Sequence, residues 1–394
     1  MIKKFIDSLK YIKLKDILAI FIFIFMFIIS LFYRVYLRII NKKIILICED
    51  PNEARDNGYH LFKYIRKNYP NDNVYYAINN KASDYNKIKD LGNVINLYSF
   101  KHWLYYLSAT VNASTHKYGN PNPPVFYFLQ VSGLLRNKRV FLQHGITMNN
   151  VSFVNYKNSK YKLFVCGAKK EYEFVKNNFG YKDNQVKYLG FPRFDNLDID
   201  NKFNKKQILL MPTWRTYISR TNIDFTQTEY FKKYNSLINN KQLINFLEEN
   251  DIKLYFYLHR NMQKYVDKFD IKSKNIIVDY NIDIQDLFKE SALMITDYSS
   301  VSFDFVYMKK PLIYYQFDKN EFRKKHVQEG YFSYERDGFG NVLEDEEDVV
   351  SNIIVNYKND YKLSKRYEKR IEEFFEIRDK DNSKRVYNAI KELL

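Results

Sequence analysis

Ala292 to Phe305 reads ALMITDYSSVSFDF. Its first five residues are apolar enough for a strand buried on both faces. The strand ends at Thr296, four polar residues follow, and a helix begins near Ser299, with Phe303, Val306 and Tyr307 recurring at helical spacing. A buried strand that passes straight into a helix is half of a parallel βα unit, and such sheets bind ligands just past the carboxyl ends of their strands. Ser299 and Ser300 therefore have two readings: they cap the helix, or they offer hydroxyls and backbone N–H groups to an anion. Asp304 falls in the first turn, where helix electrostatics favour a carboxylate and where it can also accept a hydrogen bond from a sugar hydroxyl.

The same alternation runs along the chain. Residues 43–49, 73–79, 93–98, 110–114, 139–143 and 162–167 read as strands, with helices expected over 57–68, 99–108 and 168–179. A polar stretch, 198–206, reads as a linker. The pattern then restarts with strands at 207–212, 253–259, 275–280, 292–297 and 311–316, and the tail, 358–394, is helical, with Leu363, Tyr367, Ile371, Phe374 and Phe375 on one stripe. The expected class is α/β: two doubly wound, Rossmann-like domains, 43–200 and 201–394, with a cleft between them, after a hydrophobic helix within 1–42.

That helix is signalled by Ile17 to Tyr33, which carries no charge and has lysines before it and Arg34, Arg38, Lys42 and Lys43 after it. It suits a membrane anchor that spans the bilayer or lies in its surface; basic residues on both flanks leave the orientation open. No small-residue cleavage site follows, so a signal peptide is disfavoured. The 394 residues carry 63 Lys plus Arg against 46 Asp plus Glu, a net charge of +17, which favours anionic partners. Part of that surplus accompanies a composition rich in Lys, Asn, Ile, Tyr and Phe. No nucleic-acid motif accompanies the charge, so nucleic acid is excluded as the expected partner. Cys48 and Cys166 lie in separate apolar runs and read as buried thiols.

Five expected strand ends collect polar groups. They are His144 to Thr147, Phe191 to Asp195, Pro212 to Arg215, His259 with Arg260, and Asp297 to Ser300. His144 precedes Gly145, which lets backbone approach a ligand, and an imidazole suits taking a proton from a hydroxyl. His60, His102 and His326 are read as surface or packing residues. No metal constellation stands out. Asp198-Ile199-Asp200 is a D-x-D in the linker of an Asp- and Asn-rich chain and is read as chance. Without a metal or cofactor, leaving phosphates would be met by Arg193, Arg215, Ser299 and Ser300.

Taken in order, QHGIT (143–147), GFPRFD (190–195), MPTWR (211–215), YLHRN (257–261), ITDYSSVSFDF (295–305), KKPLIYYQFD (309–318) and EGYFSYE (329–335) resemble the CDP-glycerol glycerophosphotransferase family of teichoic acid and capsule polymer synthesis. The resemblance implies a GT-B fold, a membrane-associated enzyme facing the cytoplasm, a CDP-glycerol donor, a lipid-linked acceptor and no metal. It also implies that His144 is the base on the acceptor hydroxyl and that Gln143, Gly145, Ile146 and Thr147 line the donor site. Arg193, Pro212, Thr213, His259, Ser299 and Ser300 would hold the donor and its diphosphate, with Tyr257 and Leu258 leading into His259 and Asp304 near the nucleoside. The family's usual Trp before H-G and Thr-Pro after it are here Gln143 and Ile146-Thr147, which leaves room for CDP-ribitol or another CDP-alditol. A nucleotide-sugar glycosyltransferase and an inactive membrane-anchored scaffold are the alternatives, and self-association is left open.

Overall fold

Runs with Val, Ile, Leu and Phe at successive positions have no polar face to give to water, so they fold as strands covered on both sides. The structure is a computed structural model that describes residues 14–394 apart from 117–118, 124, 127–134, 136, 198, 200–202 and 327–328. The D-x-D aspartates Asp198 and Asp200 thus lie outside the described residues. The chain divides into two units, one formed by Met1–Ile146, Val151–Asn196 and Asp379–Leu394, the other by Thr147–Asn150 and Leu197–Arg378.

The first unit holds a seven-stranded parallel sheet. Its strands are β1 (Ile45–Cys48), β2 (Val74–Ile78), β3 (Val94–Asn96), β4 (Val111–Ser114), β5 (Lys138–Phe141), β6 (Leu163–Cys166) and β7 (Val186–Tyr188), in the order β3-β2-β1-β4-β5-β6-β7. Strand order therefore reverses between β1 and β4. The N-terminal helix α1 (Leu14–Ile39) buries Ala19, Met26, Ser30 and Leu37. The expected helices follow as α2 (Asn57–Asn68), α3 (Phe100–Ser108) and α4 (Lys169–Asn178). Tyr33 of α1 meets Tyr105 of α3 at 5.9 Å, and Arg34 donates to the Leu107 carbonyl. Phe21, Phe25, Phe32, Val35 and Ile39 remain exposed on α1. Leu18–Ile39 is long and apolar enough to cross a membrane, with mean hydropathy 2.5.

The second unit holds a six-stranded parallel sheet. Its strands are β8 (Asn204–Leu210), β9 (Lys253–Phe256), β10 (Ile276–Ile277), β11 (Ser291–Thr296), β12 (Leu312–Tyr315) and β13 (Gly340–Leu343), in the order β10-β9-β8-β11-β12-β13. Here the reversal lies between β8 and β11. All six residues of β11 are buried, as its unbroken apolar run requires. The polar stretch read as linker ends as the start of β8, whose first three residues are exposed and whose Asn204 pairs with Ser291. The helix after β11, α5 (Ser302–Tyr307), starts three residues later than its sequence indicates, because Ser299 and Ser300 are used in the turn that enters it.

The tail differs from the expectation. Its last helix, α6 (Asn382–Lys391), belongs to the first unit rather than the second. The Asp195 carboxylate accepts the N–H groups of Asn382 (2.9 Å) and Ser383 (2.7 Å) at the start of α6. The Tyr387 ring packs 5.1 Å from that of Tyr69.

Candidate active site

In the first unit the groups past the strand-order reversal form one bonded network. Glu49 follows β1, is fully buried, and accepts the N–H groups of Arg55 (3.0 Å), Asp56 (3.1 Å) and Tyr59 (2.6 Å). Burial and the neighbouring Asp56 charge push its pKa up to about 8 in spite of those three donors. Asp56 caps α2 and takes Arg193 Nη1 at 2.7 Å. Burial raises the Asp56 pKa, but the cationic forms of Arg193, His116 and His144 outweigh it and hold the carboxyl below its usual range. Arg193 also lies over Phe191, 5.0 Å from the ring.

Asn57 fixes the approach to His144. Its Nδ2 donates to the carbonyls of Leu142 (3.0 Å) and Gln143 (2.8 Å), and its Oδ1 accepts the Arg193 N–H (3.2 Å). Gln143 has a left-handed φ of 60°, and its side chain turns into the unit, donating to the Val165 carbonyl (2.6 Å) and to Glu171 (3.0 Å). Gln143 thus braces the turn, and Ile146 packs in the interior against Gly167. His144 itself is exposed, and Gly145 is half-buried.

His144 Nδ1 sits 3.2 Å from the Thr115 carbonyl. A carbonyl oxygen only accepts, so in the neutral ring Nδ1 carries the hydrogen and Nε2 carries the basic lone pair. The His116 ring lies parallel to that of His144, with 4.3 Å between centroids and 10° between planes. His116 is not among the residues expected at the site, although 110–114 reads as a strand and Thr115-His116 follow it directly. The rule that singled out the other strand ends would have found it.

In the second unit, Arg215 is not at a surface. Its guanidinium is 0% exposed. Nε and Nη2 grip Asp318 at 2.7 and 3.0 Å, Nη2 lies 2.8 Å from Asp297, and Nη1 donates to the Thr213 carbonyl at 2.8 Å. Burial opposes its charge, but the two carboxylates and the hydrogen bonds to Asp318 raise its pKa well above the ordinary value. The expected role of Arg215 on the donor diphosphate is therefore corrected: its charge is committed to two buried carboxylates. Asp297 in turn accepts the N–H groups of Thr213 (2.8 Å) and Tyr298 (2.6 Å) and the Tyr234 hydroxyl (3.1 Å). This buried pair ties the turn after β8 to the turn after β11.

The groups so positioned are smaller. Among the described residues the buried Thr213 hydroxyl meets no hydrogen-bond partner. Ser299 and Ser300 are half-buried in the turn before α5. The Ser299 hydroxyl accepts the Val301 N–H at 3.4 Å, a long local cap. Pro212, Leu258 and Asp304 are buried; Thr147 is half-buried, and so is Tyr257, which packs edge-on against Tyr280 at 5.3 Å.

His259 follows β9 and stacks on Trp214, 5.7 Å between centroids. Its Nδ1 accepts the Asn261 N–H at 3.2 Å. Nε2 is then the protonated nitrogen of the neutral ring. Burial first, then the charges of Arg260 and His326, lower its pKa to about 4. His326, read from sequence as a surface or packing residue, packs edge-on to Trp214 at 4.9 Å, accepts the Thr216 N–H at 3.0 Å, and is also lowered to about 4, chiefly by burial.

Two units, each built on a parallel sheet with imidazole and hydroxyl groups past the carboxyl ends of its strands, define a GT-B-like α/β protein. Within that class the chain belongs to the CDP-glycerol:poly(glycerophosphate) glycerophosphotransferase family, whose profile matches residues 30–392. It is 39% identical over 365 residues to the minor teichoic acid biosynthesis protein GgaB of Bacillus subtilis (strain 168), covering 89% of this chain and 40% of that protein. It is 32% identical over 179 residues to the teichoic acid glycerol-phosphate primase of the same strain, covering 42% of each. The matches thus span less than half the length of these curated relatives. The solved wall teichoic acid polymerase TagF shares the fold, with a TM-score of 0.64 over 93% of this chain and 98% of that one, at 16% identity.

Proposed function

We propose that this protein transfers glycerol phosphate, or a related alditol phosphate, from a CDP-linked donor to a hydroxyl of a membrane-linked teichoic acid or capsule polymer, at the cytoplasmic face of a bacterial membrane. The observation that carries the reading is His144, exposed and held with Nε2 as its basic nitrogen, on a chain that belongs to this family along almost its whole length.

The acceptor O–H gives its proton to His144 Nε2. The freed oxygen attacks the phosphorus that bears the glycerol, its bond to the CMP phosphate breaks, and CMP leaves. Asp56, kept ionised nearby, stabilises the imidazolium that forms. Charge on the leaving phosphate is met by the Nε2–H of His259 and by the hydroxyls of Thr213, Ser299 and Ser300. Arg215 contributes by holding Asp297, and through it the Thr213 and Tyr298 amides, in place. Such a transition state is loose, so positioning and electrostatics supply most of the rate. Helix α1, with its exposed apolar face, keeps the enzyme at the membrane that carries the acceptor.

The test is to offer the purified protein CDP-glycerol, CDP-ribitol and nucleotide sugars in parallel with a lipid-linked polymer acceptor and to follow release of the nucleotide. CMP release with a CDP-alditol is expected. Turnover of a nucleotide sugar alone would move the enzyme to the glycosyltransferases.

A further inference from the structure

We propose that His116 is a positioning residue for the base: stacked on His144, it sets the plane of the ring whose Nε2 takes the acceptor proton. This rests on the assignment of His144 as base.

One residue, Thr115, holds both rings. It is fully buried at the end of β4, beside the reversal in strand order. Its carbonyl meets His144 Nδ1 at 3.2 Å, and its hydroxyl meets His116 Nδ1 at 2.9 Å. The hydrogen bond at Nδ1 fixes one point of the His144 ring. A second ring lying parallel at 4.3 Å fixes the plane as well. Point and plane together fix the direction in which the Nε2 lone pair aims. His144 needs this support more than a core histidine does, because it is exposed and is followed by glycine. His116, half-buried and braced by Thr115, is the better anchored of the two. Proton transfer in the transition state depends on a near-attack geometry, and small misplacements of a base lose rate without weakening donor binding.

The experiment compares His116→Ala and His116→Phe with the unaltered protein, using CDP-glycerol and a lipid-linked acceptor. His116→Ala should lower kcat by roughly 10- to 100-fold and leave the KM for CDP-glycerol within about twofold. His116→Phe keeps a flat ring over His144 and should restore kcat to within roughly threefold of the unaltered enzyme. In protein labelled with 15N-histidine, which has six histidines, the His144 signals should show the Nδ1–H form in the unaltered protein and in His116→Phe. His116→Ala should show averaging between the two tautomers. Unchanged kcat and 15N shifts in His116→Ala overturn the proposal. An equal loss in His116→Phe also overturns it, since the ring would then not be what matters. His144→Ala separates the two levels: full turnover in that variant removes the base assignment itself, whereas a dead His144→Ala beside an unaffected His116→Ala removes only the role of His116.

Discussion

The two units each place a histidine after a sheet strand, and they hold it in opposite ways. In the first unit a carbonyl faces His144 Nδ1, which leaves Nε2 basic on an exposed ring. In the second an N–H faces His259 Nδ1, so Nε2 carries the hydrogen, and burial keeps the ring neutral. In the proposed mechanism the same side chain therefore serves as an acceptor of protons in one unit and as a donor of a hydrogen bond in the other. What decides the chemistry is a single backbone atom beside each ring, not the residue type.

The sharpest way to break this contrast is to remove the proposed base. His144→Ala should lower kcat by about 10²- to 10⁴-fold, with an unchanged circular dichroism spectrum and little change in the KM for donor. Next in size is a change of stability in the second unit. Arg215→Met leaves Asp297 and Asp318 buried without their cation, and should cost about 3–5 kcal/mol in a urea unfolding experiment. Retained stability would mean that the carboxylates find another partner.

The donor histidine should matter less than the base and should respond differently to an amide. His259→Ala is expected to lose roughly 10²- to 10³-fold in kcat. His259→Gln keeps an N–H donor and should recover part of that loss, while His144→Gln should recover nothing, because an amide nitrogen has no basic lone pair. Equal behaviour of the two Gln variants would erase the distinction between the units.

A further test reads pH dependence. His259 is lowered to about 4, so it stays neutral well below pH 6, and the pH profile of kcat/KM above pH 5 should keep its shape in His259→Gln. Stability should follow the fully buried His102, also lowered to about 4 by burial. Its folded value lies below the unfolded value of about 6.5, so its contribution is complete above pH 6.5 and is lost as pH falls towards 4. The loss is about 3 kcal/mol at most, read as a falling Tm over that window.

Most of the fold was legible. Strand runs such as 73–79 and 292–297 lie within a residue or two of β2 and β11, because a strand covered on both faces must be apolar throughout. Strand β13 was missed: Gly340 and Asn341 open it, and only two apolar residues follow. The histidines could be found from their strand ends, but their tautomers could not. Those depend on Thr115, 29 positions from His144, and on the local turn at Asn261. The burial of Arg215 was equally hidden. Its partners stand 82 and 103 residues away, and an arginine at a strand end reads the same whether it meets a phosphate or two carboxylates.

The placement of α6 has a consequence for the order of assembly. Residues 197–378 form an uninterrupted excursion, and only after them does the chain supply the helix that Asp195 caps. During synthesis the unit that holds His259 has all its parts before residues 379–394 emerge, so the unit that holds His144 is the later of the two to be completed.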